Sequence, residues 1–195
     1  TIMTRTELFD ALYAACPALR HVDALWWPSS SSHIFQGETD LTGLRGQRIY
    51  VPVKNAADIE RAGHDLMDRL WLLGYGRFDV SSSGAVLERP LFDGSVWQPS
   101  RIDFAAGAHC GPGLLQERGE PLKVGPGTGE FLDSERAIPP LSVDEARRAE
   151  RQKRQSKATV SEQANRIRAK WSNERVNTMT QADPGCTHAV AESIT

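Results

Sequence analysis

The sequence is poor in several features whose absence narrows its class. Its only cysteines are Cys16, Cys110 and Cys186. They are odd in number, widely spaced and without a C-x-x-C pair, which supports neither a disulfide framework nor a zinc ribbon. A reducing, cytoplasmic setting fits that usage best. No apolar run approaches the roughly 18 residues a membrane span requires, and the start, TIMTRTELFD, lacks the charged-then-apolar pattern of a secretory leader. No membrane partner is expected. Neither sign of charge is in excess: 23 Lys and Arg against 25 Asp and Glu leave a net −2, so nothing chain-wide points to a polyanion. Internal repeats are lacking. So is an initiator methionine, and a helical pattern begins almost at once, which points to a fragment or a reading frame cut from a longer protein.

What is present organises as α+β. At 195 residues one domain with a core plus an appendage is the expectation. Leu8, Phe9, Leu12 and Tyr13 give a buried helix face, with Thr6 as N-cap and Pro17 as the stop. The segment 22-VDALWWP-28 reads as a strand running into four serines, HIF at 33–35 as the next, and 47-QRIYVPV-53 as a half-buried third. The strongest helix is DIERAGHDLMDRLWLLG, where Ile59, Ala62, Leu66, Met67, Leu70 and Leu73 recur at helical spacing, Asn55 and Asp58 offer caps, and Gly74 ends it. Residues 77–93 read as strand, Ser/Gly turn, strand, and residues 96–107 as an extended piece broken by Pro99. From 107 to 140 glycine and proline rise and periodicity fades, as in loop. Residues 141–195 form a polar, basic tail, helical from a Ser142/Glu145 capping box onward until the pattern is lost at the end. It reads either as a solvated helix or as a nucleic-acid contact. The domain expectation is a core over 1–140 and the tail over 141–195, with a β-α-β passage around the strong helix.

Two short stretches carry chemistry. In 28-PSSSSHIF-35, an extended backbone would point Ser31 and His33 to one side, since strand side chains alternate. A hydroxyl and an imidazole together make a grip on phosphate oxygens; a polar loop with an incidental histidine is the alternative. In 93-DGSVWQPSR-101, Asp93 follows apolar Leu91 and Phe92, where a carboxylate could hold magnesium, and Arg101 could meet the same phosphates in bidentate fashion. A hairpin with Asp-Gly at its turn is the alternative there. Other clusters read as structure. His109-Cys110 with Cys16 or His64 lacks a second ligand pair, 125-GPGTG-129 has no following Lys-Ser/Thr, and no G-x-S-x-G nucleophile elbow occurs. The tryptophans are core candidates, although Trp97 could stack on a base.

Taken in order, Ser31-Ser32-His33 and Phe92-Asp93 resemble the second and third motifs of the archaeo-eukaryotic primase superfamily, the primase-polymerases of plasmids, phages and integrated elements. The resemblance covers roughly residues 1–115. It implies an RRM-like catalytic core, with His33 and Ser31 on the incoming nucleotide's phosphates, Asp93 on a divalent Mg²⁺ or Mn²⁺, and Arg101 reaching the nucleotide. The implied activity is metal-dependent, template-directed nucleotidyl transfer on a DNA template and primer, in a replication protein that sometimes works with a helicase. Arg45, Arg48 and Arg89 are secondary candidates for template or phosphate contact, or else plain surface arginines. The family's first motif, Asp-x-Asp or Asp-x-Glu upstream, has no counterpart: Asp23 is the only acid at a strand-like position and it has no acidic partner. The expectation is that this motif preceded Thr1. The alternative function is a non-catalytic nucleic-acid-binding α+β module.

Overall fold

The computed structural model describes residues 2–98, 102–103 and 105–182. In chain order its elements are α1 (Arg5–Ala15), β1 (Ala24–Pro28), β2 (Ile34–Gln36), β3 (Thr39–Asp40), β4 (Gln47–Tyr50), α2 (Ile59–Leu72), β5 (Arg77–Val80), β6 (Val86–Arg89), β7 (Leu114–Gln116), β8 (Leu122–Val124), α3 (Ser134–Ala137) and α4 (Val143–Ala182). The protein is α+β, built on small antiparallel sheets.

Thr4 rather than Thr6 starts α1. Its hydroxyl accepts from the Glu7 amide at 3.2 Å while the Glu7 carboxylate accepts from the Thr4 amide at 2.7 Å, so two of the helix's orphan donors are satisfied reciprocally. Pro17 then opens a 3-10 turn, Pro17–His21, in place of a further helical turn. At the far end of the chain the capping box read from the sequence is present: Ser142 donates its amide to Glu145 at 2.9 Å and accepts from the Glu145 amide at 3.3 Å.

β1 is the centre of one sheet, paired antiparallel with β4 and with β8; β2 is the centre of another, between β3 and β7. Two expectations are corrected here. The interval 107–140 is not all loop, because β7 and β8 lie in it and complete both sheets. These strands are three residues long, too short to leave a period-two signal among glycines and prolines. The strands flanking α2 also do not form one β-α-β crossover: β4 pairs with β1, whereas β5 pairs with β6 in a separate hairpin.

The chain divides into two compact units, one of Thr1–Leu70 with Gly94–Leu141, the other of Trp71–Asp93 with Ser142–Thr195. In the first, Cys16, Val22, Ala62, Leu132 and Ile138 form a buried cluster with Leu19, Val51, Val53 and Leu66 around it. Beside it lies a polar knot. Arg61 makes a bidentate pair with Asp58, a second pair with Asp65 at 2.7 Å and a bond to the Ile138 carbonyl at 2.6 Å, while Ser134 donates to Asp58 at 2.6 Å. These bonds tie the start of α2 to α3, and Asp58 serves them rather than capping α2. The Arg61 guanidinium and the Ser134 hydroxyl hold the Asp58 carboxyl down to about 2.

In the second unit, α4 packs on β5 and β6. Its buried positions include Ala149 and Ala164, small residues that let the hairpin approach. Trp71 is buried, meets Phe78 at 5.7 Å between ring centroids and donates its indole N–H to Glu88 at 2.9 Å. The β5–β6 turn closes through Gly84, whose φ of +80° belongs to glycine; a Cβ there would lie 2.5 Å from the Arg168 amide nitrogen and 2.7 Å from the Ala164 carbonyl oxygen.

Candidate functional site

The four serines form a turn between β1 and β2, not a strand. Strand alternation therefore does not govern Ser31 and His33, and the serine with the structural task is the one between them. Ser32 is fully buried. Its hydroxyl accepts from the Arg45 amide at 3.0 Å and the Gly46 amide at 3.3 Å and donates to the Gly46 carbonyl at 3.2 Å, which pins the turn to the approach to β4. Ser31 is exposed and its hydroxyl lies 3.0 Å from that of Ser29. Gln116, on β7, closes the turn from the other side. Its amide nitrogen donates to the carbonyls of Ser30 at 2.8 Å and Ser32 at 2.9 Å, and its oxygen accepts from the Ala108 amide at 2.7 Å.

His33 follows with φ +54°, the one non-glycine residue at positive φ among those described. A left-handed backbone is costly for a residue with a Cβ, and its neighbours hold it there: the His33 amide donates to the Gly43 carbonyl at 2.8 Å and its carbonyl accepts from the Glu117 amide at 2.9 Å. Its Nδ1 lies 2.9 Å from Asp40 Oδ2. The ring is 30% exposed, and Nε2 makes no hydrogen bond among the described residues. The arrangement can present one ring nitrogen to a ligand while a carboxylate backs the other.

Asp93 is not at the end of an apolar strand. β6 ends at Arg89, and Asp93 is exposed, just before a turn over residues 94–97. It belongs to the second unit and His33 to the first. Arg101 lies outside the described residues. Arg45 is exposed and its backbone is tied to Ser32, which sets it beside the serine turn. Arg48 faces Asp103 at 3.6 Å, and Arg89, in the second unit, pairs with Asp79 at 3.7 Å. Both are at least partly engaged in ion pairs.

Asp23 has a structural occupation. Its two carboxylate oxygens accept from the amides of Gly127 at 2.7 Å and Gly129 at 2.8 Å, so the 125-GPGTG-129 loop wraps its N–H groups around a carboxylate of this chain. The positive φ of Gly127 and Gly129, 74° and 69°, aims those amides inward, as a backbone nest does. Among the described residues no group of three or more His, Cys, Asp or Glu is placed to hold a metal ion, and one carboxylate does not complete the coordination of a divalent cation.

On α4, Lys and Arg outnumber Asp and Glu. Exposed Arg148 and Arg151, with Gln152, Gln155 and Leu72, line a surface cavity of about 440 Å³ in the second unit. Sequence reading missed Asp40, Gln116 and the role of Ser32. Asp40 sits in a turn-rich interval with no periodicity to mark it, and nothing local ties Gln116 to a turn more than 80 residues earlier in the chain.

No family model matches the chain, and neither a curated protein nor a solved structure resembles it at a significant level.

Proposed function

We propose that the chain carries the nucleotide-handling core of a primase-polymerase, performing template-directed nucleotidyl transfer in replication of a mobile element. His33 and Ser31 hold the incoming triphosphate, Arg101 reaches the same phosphates, and Asp93 supplies one ligand to Mg²⁺ or Mn²⁺. The observation that carries the reading is the carboxylate-backed, half-buried imidazole of His33 on a turn fixed from both sides by Ser32 and Gln116. An imidazole held in place in this way meets a phosphate without reorganising, which is how positioning and electrostatics serve phosphoryl transfer. The metal, when bound, supplies charge neutralisation on the phosphates; the chain's own residues bind and orient them. An RRM-like arrangement of the sheets belongs to the same proposal.

Primer extension with a templated primer, nucleoside triphosphates and Mg²⁺ or Mn²⁺ tests it. Asp93→Ala and His33→Ala should each abolish extension. Extension by the full-length protein that is unchanged in Asp93→Ala removes the metal role, and no extension by the unaltered full-length protein removes the catalytic reading.

A second reading, a non-catalytic nucleic-acid-binding module, is favoured by one observation: the cavity beside Arg148 and Arg151 on the basic helix α4. It requires single-stranded DNA binding that weakens steeply with salt and needs no divalent metal. Loss of that binding in Arg148→Ala/Arg151→Ala, with His33→Ala unaffected, separates it from the first reading.

A further inference from the structure

Asp40 is tied down through one carboxylate oxygen before it meets His33 with the other. Its Oδ1 accepts from the Gly43 amide at 2.8 Å and the Thr42 amide at 3.1 Å. Thr42 in turn accepts the Ile34 amide on its hydroxyl at 2.9 Å, and Gly43 accepts the His33 amide on its carbonyl at 2.8 Å. The segment from β2 through Gly43 thus closes on itself around one side chain, with Oδ2 left to face Nδ1 of His33 at 2.9 Å. The hydrogen bonds from His33, Gly43 and Thr42 hold the Asp40 carboxyl below its ordinary range. An ionised carboxylate only accepts, so Nδ1 carries the proton and Nε2 is the nitrogen left for a ligand. A histidine at φ +54° occupies a backbone position that glycine would fill without strain, and its ring, like its backbone amide and carbonyl, has a partner.

We propose that Asp40 is the positioning residue of His33: it holds the Nδ1–H and leaves Nε2 as the nitrogen that, when it carries a proton, donates to a phosphate oxygen. The phosphate half of this inference rests on the proposed nucleotide-binding function; the tautomer half stands on geometry alone. With a carboxylate facing Nδ1–H, the ring can also take a proton on Nε2 and give phosphate a charge-assisted hydrogen bond. Asp40→Asn changes this in a defined way. The Thr42 and Gly43 amides still require an oxygen, so the new side chain turns its NH₂ toward His33, where Nδ1 must then accept and the proton moves to Nε2. An imidazolium, with donors on both nitrogens, no longer fits against that NH₂.

The test is nitrogen-15 NMR of the imidazole rings in the full chain, at a pH where they are neutral, combined with titration of inorganic triphosphate. His33→Gln serves to assign the His33 signals. The expected result is an Nδ1–H pattern for His33 in the unaltered protein and an Nε2–H pattern in Asp40→Asn. The other histidines, of five in the chain, should keep their shifts and so report an intact fold. Triphosphate affinity should fall by roughly tenfold in Asp40→Asn, the scale of one charge-assisted bond. His33 shifts unchanged by Asp40→Asn overturn the inference. A switched tautomer with undiminished triphosphate binding overturns its phosphate half. A switched tautomer with no triphosphate binding by either protein leaves Asp40's hold on His33 standing and removes the nucleotide-binding function instead.

Discussion

The side-chain amide of Gln116 donates to the carbonyl of Ser32 across 2.9 Å, joining β7 to the serine turn that carries His33. With its bonds to Ser30 and Ala108, this one side chain satisfies three backbone groups that the turn and the 105–113 segment would otherwise leave open. Gln116→Ala should destabilise the protein by about 1–3 kcal/mol, the cost of stranding partly buried polar groups. Urea unfolding measures it. Because the turn fixes His33, nucleotide affinity should fall in the same variant. A stable variant with unchanged nucleotide binding means that the turn does not depend on Gln116.

Stability should also depend on pH through Asp58. Its carboxyl is held at about 2, below its ordinary 3.8, by Arg61 first and Ser134 second. The unfolded chain therefore takes up a proton at higher pH than the folded one. The stabilisation is fully present above pH 4 or so, and it is lost as the pH falls through the folded value near 2. The melting temperature should drop between those limits. Asp58→Asn should be less stable at pH 7 and show a shallower drop; a parallel slope in that variant excludes Asp58 as the source.

Gly84→Ala tests the packing of the second unit. The added methyl would sit 2.5 Å from the Arg168 amide nitrogen at a φ of +80°, so both the turn and α4 must shift. A loss of at least about 1–3 kcal/mol is expected from the backbone strain alone. Hydrogen exchange should show it as faster exchange in β5, β6 and α4. Unchanged protection there contradicts the close approach.

What was legible in the sequence follows from range. The Ser142/Glu145 capping box and the period of α2 are local patterns, and both are present. The Thr6 cap failed to the same motif two residues earlier, at Thr4, because Glu7 completes a box with Thr4 and not with Thr6. Of the two readings of the serines, extended backbone or polar loop, the loop is found, because Ser32 finds its partners in Arg45 and Gly46, which turn the chain. β7 and β8 were hidden by their length, and their partners lie on strands far earlier in the chain. Of the candidate site, His33 and Ser31 were named from a motif. Asp40, which orients His33, was not, since its role exists only once residues 37–43 close on themselves.

The central claim is that His33 holds a nucleotide's phosphates. Calorimetric titration of a nucleoside triphosphate with Mg²⁺ into the unaltered chain and into His33→Gln tests it most directly. The account requires measurable binding by the unaltered chain and affinity weaker by roughly tenfold or more in the variant. Equal affinity in the two proteins, or no binding by either, contradicts it.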